Sequence, residues 1–132
     1  MPEPAPESYP EDLLYHPEHV WARISGDEAT FGITWYAQDA LGEVVFYDPP
    51  AVGTTVTADE SYAEVESVKA VSDVFAPLTG EVVAVNDTLS DSPEQINDDP
   101  YGDGWLVKVK LSDPGQVDSL LDADAYKKLL QS

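Results

Sequence analysis

The chain has no cysteine, two histidines and only six lysines plus arginines in 132 residues. Without cysteine there is no disulfide framework, no thiol nucleophile and no thiolate metal site. His16 and His19 lie close together with no further partner, so a zinc site is not expected. No apolar run approaches the roughly 18 residues of a membrane helix. The first residues are rich in proline and glutamate, unlike a secretory signal or an organelle transit peptide, and the expectation is a cytoplasmic protein. The few bases face 26 aspartates plus glutamates, a net charge of −20. A polyanion of this kind repels nucleic acid and anionic membrane, so neither is expected as a partner. The acids are spread along the chain rather than gathered in a tail. They suggest a host with a salty cytoplasm, where the screening length falls to about 3 Å at 1 M and self-repulsion costs little.

Catalytic machinery is also missing. No nucleophile, base and acid share a usable spacing, and there is no glycine-rich phosphate loop, so no catalysis of its own is expected.

What is present is a run of short strands with turns between them. Residues 1–12 read as a flexible N-terminal segment and 13–132 as a single domain. His19 to Ile24 and Ala29 to Ile33 read as strands around a Ser25-Gly26-Asp27 turn. Thr34 caps a short helix, Trp35 to Leu41, which Gly42 ends. Further strands are Glu43 to Tyr47, a brief one at Thr54 to Thr57, Glu81 to Val85, and Trp105 to Leu111 with Trp105, Val107, Val109 and Leu111 inward. Ser92 is expected to cap a helix through the Gln95 amide, Pro114 to open another, and Asp122 to cap a last one carrying Tyr126, Leu129 and Leu130. Trp21, Trp35 and Trp105 read as core. Gly42-Glu43-Val44-Val45 recurs as Gly80-Glu81-Val82-Val83, a weak repeat that fits a sandwich of two similar halves.

The centre of the chain is Tyr62 to Phe75, which reads as a hairpin with Lys69 at its tip. Tyr62, Glu64 and Glu66 are expected to point one way, Ala63 and Val65 the other. Between Arg23 and Lys108, Lys69 is the only basic residue. Such an amine is either a solvated surface lysine or the attachment point of a cofactor arm.

The residues then point to a family. Gly53, Val56, Val65-Glu66-Ser67-Val68-Lys69-Ala70 and Ala76-Pro77-Leu78-Thr79-Gly80-Glu81-Val82 resemble the lipoyl-lysine pattern. His19-Val20-Trp21, Gly32-Ile33-Thr34, Ala37-Gln38, Leu41 to Phe46, Val85-Asn86, Asn97 to Trp105 and Leu120-Leu121-Asp122 narrow this to a resemblance to the H protein of the glycine cleavage system. It covers about Tyr15 to Leu130. Acyltransferase lipoyl domains usually carry aspartate before the lysine, and biotin carriers have methionine on both sides, where this chain has Val68 and Ala70.

The resemblance implies a mainly-β barrel-sandwich hybrid of two small antiparallel sheets, with short flanking helices and a C-terminal helix. It implies a monomeric carrier subunit rather than an enzyme. Lys69 would be joined to lipoic acid by an amide bond, attached by a lipoate ligase or lipoyl synthase system that reads Glu66 and Ser67; the residues alone equally allow these two to solvate or cap the turn. The arm would take the aminomethyl group of glycine from a pyridoxal-phosphate decarboxylase (P protein) to a tetrahydrofolate-dependent aminomethyltransferase (T protein). A dihydrolipoamide dehydrogenase (L protein) would then reoxidise it. A protein that stores lipoate and donates it to other lipoyl domains is the alternative. The loaded arm would fold into a cleft on the carrier's own surface, held by carboxylates. Asp73 matches one of these, and Glu18 and His19 lie in the segment that supplies the other. The second carboxylate itself is replaced by Val20, which cannot pair with an ammonium. Asp73 is expected to be the main anchor, with Glu18 either a substitute or one solvated acid among many.

Overall fold

The structure is a computed structural model and describes residues 7–131. Residues 1–6 of the expected N-terminal segment lie outside the described residues. Within the rest of that segment, the Tyr101 hydroxyl donates to the Ser8 carbonyl (2.7 Å), the Tyr15 hydroxyl donates to the Pro10 carbonyl (2.6 Å), and Tyr9 meets Tyr126 edge-on.

The pairing between the named strands is antiparallel, and an isolated Ala58–Ala76 bridge is parallel. The strands are β1 (Leu14–His16), β2 (Val20–Ser25), β3 (Glu28–Ile33), β4 (Val44–Asp48), β5 (Thr55–Val56), β6 (Ser61–Ser67), β7 (Val71–Phe75), β8 (Gly80–Val85) and β9 (Val107–Leu111). A six-stranded sheet runs β1-β2-β3-β9-β8-β5, and a three-stranded sheet runs β4-β6-β7. The helices are α1 (Trp35–Leu41), α2 (Thr88–Asp91), α3 (Gln95–Asp98) and α4 (Ala123–Gln131), with a 3-10 turn at Pro114–Ser119. The two antiparallel sheets, the flanking helices and the C-terminal helix are as the sequence led one to expect. The larger sheet gains its size because β1, β2 and β3 join the β5, β8 and β9 half.

The core follows from strand alternation. One cluster lies between the sheets, joining Val20 and Ile33 to Val44, Ala63, Val65 and Val74, with Leu89 and Ile96 closing it from α2 and α3. A second fills the larger sheet around Phe31, Val82 and Val109. A third packs α4 onto β1 and β2 through Tyr15, Trp21 and Tyr126.

The weak repeat has a structural counterpart. Val44 and Val82 are both buried, Val45 and Val83 both exposed. Each strand shifts register at the same place, between Val44 and Phe46 and between Val82 and Ala84. The two glycines serve different ends. A Cβ on Gly80 would lie 2.2 Å from the Lys110 carbonyl oxygen, so β8 and β9 could not close up, whereas Gly42 is needed for its φ of +81°.

Several local expectations need correction. The Ser92 hydroxyl does not cap a helix; its carbonyl accepts the Gln95 N–H, and α3 starts only at Gln95. The sequence Ser92-Pro93-Glu94-Gln95 satisfies its amides in a turn before the helix. The helix expected to open at Pro114 is present as a 3-10 helix, Pro114–Ser119. β9 begins at Val107, because Trp105 is bent out of register by a Trp105 N–H to Gly102 carbonyl bond; Trp105 and Trp35 are half-buried, and only Trp21 is fully core. β1, α2 and the paired register of Leu14 to His16 went unread. Tyr62 does not point out with Glu64: a register shift between Ser61 and Ala63 turns it between the sheets, against Phe31.

Candidate functional site

The hairpin is built by β6 and β7, paired Glu66 to Val71, Val65 to Ser72 and Glu64 to Asp73. Ala63, Val65 and Ser67 face in, Glu64 and Glu66 face out. The inward Ser67 sits under the turn and holds it. Its N–H donates to the Ala70 carbonyl (2.8 Å), and its hydroxyl accepts from the N–H groups of Lys69 (3.3 Å) and Ala70 (3.1 Å) while also facing the Ala70 carbonyl at 3.2 Å. Serine suits this because a short hydroxyl mimics a backbone turn. Lys69 is thereby raised into solvent on a fixed loop.

The loop is fixed from below as well. The Val68 N–H donates to the Glu43 carbonyl at 3.1 Å. Asn97 binds this underlying segment from three sides: its amide donates to the Gly42 carbonyl (2.8 Å) and the Gln38 side chain (3.0 Å), and its oxygen accepts the Val44 N–H (2.9 Å). Gly42, the C-cap of α1, lies under the Lys69 stem; a Cβ there would stand 3.4 Å from Lys69 Cε. Around the tip the surface is apolar, with Val68 69 % and Val71 59 % exposed beside Phe46. One row further from the tip, Asp48, Glu64 and Asp73 stand side by side across the three strands.

Between β7 and α1 lies a cleft of ≈ 360 Å³. Its floor is apolar, with Val20, Ile33, Leu41 and Val65, and its margins carry Asp73, Glu18 and His19. Asp73, Glu18 and His19 all line this one cleft. Ala70 borders it, next to Lys69. Glu66 stands on the outer face instead and Ser67 inside the turn. Val20 is 2 % exposed and packs into the inter-sheet core.

His19 has an uncommon backbone, with φ of +68°, a conformation that persists only when the surroundings enforce it. Its N–H donates to the His16 carbonyl (2.9 Å), and its carbonyl accepts the Thr34 N–H (3.1 Å). Its Nδ1 is 2.7 Å from the Tyr126 hydroxyl, itself 2.8 Å from Thr34 Oγ, the N-cap of α1. Burial pushes the imidazole below its ordinary pKa of 6.5, against the opposing pull of Glu18, and pushes Tyr126 up to about 12. His16 donates instead to Asp59 and accepts the Glu18 N–H.

Sequence reasoning missed the α1 wall of the cleft, Tyr36, Ala37, Ala40 and Leu41, and the support from Tyr126 and Asn97. The signal for the wall was present: these positions form one helical stripe at spacings of one and four. Tyr126 carried no signal, since its contact with His19 spans most of the chain.

Fold and site together define a two-sheet domain that displays a single lysine on a braced hairpin tip beside a cleft, the class of lysine-tethered carrier domains. The sequence profile of the family described as "Glycine cleavage H-protein" matches residues 13–132. The chain is 52 % identical over 126 residues to the glycine cleavage system H protein of Myxococcus xanthus, covering 96 % of this chain and 98 % of that one. It is 55 % identical over 123 residues to that of Cronobacter sakazakii, covering 92 % and 95 %. The crystal structure of a glycine cleavage system H protein from Mycobacterium marinum superimposes with a TM-score of 0.85 at 43 % identity, covering 93 % of this chain and 99 % of that one. This chain belongs to the glycine cleavage H-protein family.

Proposed function

We propose that the protein is the lipoyl-bearing carrier of a glycine cleavage system, with lipoic acid amide-linked to Lys69. The observation that carries this is the hairpin tip. Lys69 is exposed, its neighbours are pinned by Ser67 and Glu43, and the remaining lysines lie on β9 and α4. A preformed turn loses little entropy when it docks into a ligase or a partner enzyme. The attached group supplies a flexible arm ending in a redox-active dithiolane that carries the aminomethyl group of glycine. The residues present fit such a group. Gly42 leaves room for the lysine stem, and the apolar floor of Val20, Ile33, Leu41 and Val65 suits a hydrocarbon arm.

The chain's own residues would position and shelter the cargo. Asp73 offers a carboxylate to the cargo ammonium, and the cleft limits its exposure to water. Glu18, exposed at the margin, is a second source of negative charge; Val20 is not. The apolar collar of Val68, Val71 and Phe46 faces the partners, which by family membership are the P, T and L proteins of the system. The tether keeps the cargo at high local concentration while the carrier is docked.

The experiment is intact-mass measurement and peptide mapping of protein from its native host. One lipoyl group on Lys69 is expected, absent in Lys69→Arg. Lipoylation at Lys108, Lys110, Lys127 or Lys128, or none at all, overturns the reading. A glycine–bicarbonate exchange assay with the decarboxylase separates a carrier from a lipoate donor, since only a carrier supports exchange. In Asp73→Asn the loaded protein should release formaldehyde and ammonia faster; no change means that Asp73 does not hold the cargo.

A further inference from the structure

The α1 wall of the cleft carries Tyr36, which is 41 % exposed. Its ring is backed by the His19 ring, 4.6 Å between centroids and 35° between planes. His19 is a firm backing: both its backbone groups are hydrogen-bonded, and its Nδ1 meets Tyr126. Burial keeps this imidazole neutral at neutral pH, so the ring pair brings no positive charge to the cleft. The other charged groups at the cleft margin are Asp73 and Glu18. Val20, at the floor, offers only methyl groups. A cation entering this cleft therefore has Asp73 on the β7 side and Tyr36 on the α1 side.

We propose that Tyr36, braced by His19, holds the ammonium of the loaded arm by a cation–π contact and so replaces the carboxylate that Val20 lacks. The inference rests on the carrier reading of Lys69 and adds a cargo-binding residue to it. The physics favours a ring at this site. An ammonium is attracted to a tyrosine face within about 6 Å of its centroid. A carboxylate at the buried Val20 position would be left unpaired and poorly solvated each time the arm left. The ring has no such cost, so it can attract the cation when the arm docks and be left bare when the arm swings out.

The test uses the lipoylated full chain with its arm reduced and alkylated in two ways: with 13C-labelled 2-bromoethylamine, giving a stable ammonium, or with 13C-labelled iodoacetamide, giving a neutral arm. The expected result is an upfield ring-current shift of the labelled methylene beside the ammonium in the native protein and in Tyr36→Phe, lost in Tyr36→Leu, with no such shift for the neutral arm. Glycine-loaded Tyr36→Leu should release its cargo about five-fold faster, and Tyr36→Phe at close to the native rate. The inference is overturned if the two arms shift alike, or if Tyr36→Leu changes neither shift nor release. Methyl signals of Val20 and Leu41 separate the two readings. If they move on alkylation while Tyr36 does not respond, the arm docks and only the role of Tyr36 fails. If they also stay still, docking in this cleft fails with it.

Discussion

Ser67→Ala tests whether the lysine turn is built from within. The substitution removes one hydroxyl that is buried beneath the tip and faces the Lys69 N–H at 3.3 Å, the Ala70 N–H at 3.1 Å and the Ala70 carbonyl at 3.2 Å. These are at the long end of hydrogen-bond geometry, so each is counted at the low end of the net range, about 0.5 kcal/mol, for a total of about 1.5 kcal/mol. An unfolding entropy of about 2.1 cal/mol/K per residue converts this into a fall in Tm of about 5 °C. The Ser67 N–H to Ala70 carbonyl bond stays, so the hairpin should loosen rather than unpair. Calorimetry reads the Tm, and hydrogen exchange at the Lys69 and Ala70 amides locates the loss. Lipoylation by a lipoate ligase should slow in proportion to the loosening. If lipoylation fails while Tm and amide exchange stay native, the enzyme reads the serine itself and the turn argument is wrong.

Glu66 gives the converse case: it is exposed on the outer face of the hairpin, so Glu66→Gln should slow lipoylation with Tm unchanged if the ligase reads it, as a ligase-rate measurement shows. Gly42→Ala forces an L residue into φ +81°, ψ −156°, and should cost about 1–3 kcal/mol, a fall of about 3–10 °C in calorimetry. Burial holds His19 below 6.5, so the unfolded chain takes up its proton first as the pH falls. Its contribution is full above 6.5 and is lost as the pH drops toward the folded value. A Tm–pH profile should therefore fall less steeply below 6.5 in His19→Gln than in the native protein, with Glu18 and His16 the neighbouring charges that bear on the shift. Finally, the chain carries 26 acids against six lysines plus arginines, and among the described residues the pair within ion-pair distance is His16 with Asp59. Salt thus screens repulsion with little attraction to lose, and Tm should climb steeply from low ionic strength to molar potassium chloride; a flat profile removes the inference of a high-salt host.

Most of the architecture was open to reading because it rests on local rules. Alternation marked β6, β7 and β9, and Thr34 and Gly42 bounded α1 at its observed ends through a hydroxyl cap and a positive φ. The errors fell where local rules compete. The segment from Ser92 to Gln95 satisfies its amides equally well as a turn or as a helix start, and the longer-range packing of Ile96 decided it. A bulge cannot be read from alternation, because it is the point where alternation stops, and so Tyr62 was placed on the wrong face.

The sequence by itself determined the hairpin, the isolated lysine at its tip, and the family to which the chain belongs, since each depends on residues adjacent in the chain. The tertiary structure decided what surrounds that lysine. Asn97 reaches Gly42 across 55 positions, Tyr126 reaches His19 across 107, and α1 brings Tyr36 to face a strand more than thirty residues later. The cleft is a property of how the two sheets and α1 meet, and no single segment carries its shape. It forms because Val20, Ile33, Val65 and Val74 bury their side chains between the sheets, and that burial, driven by the removal of apolar surface from water, sets how far apart the walls stand.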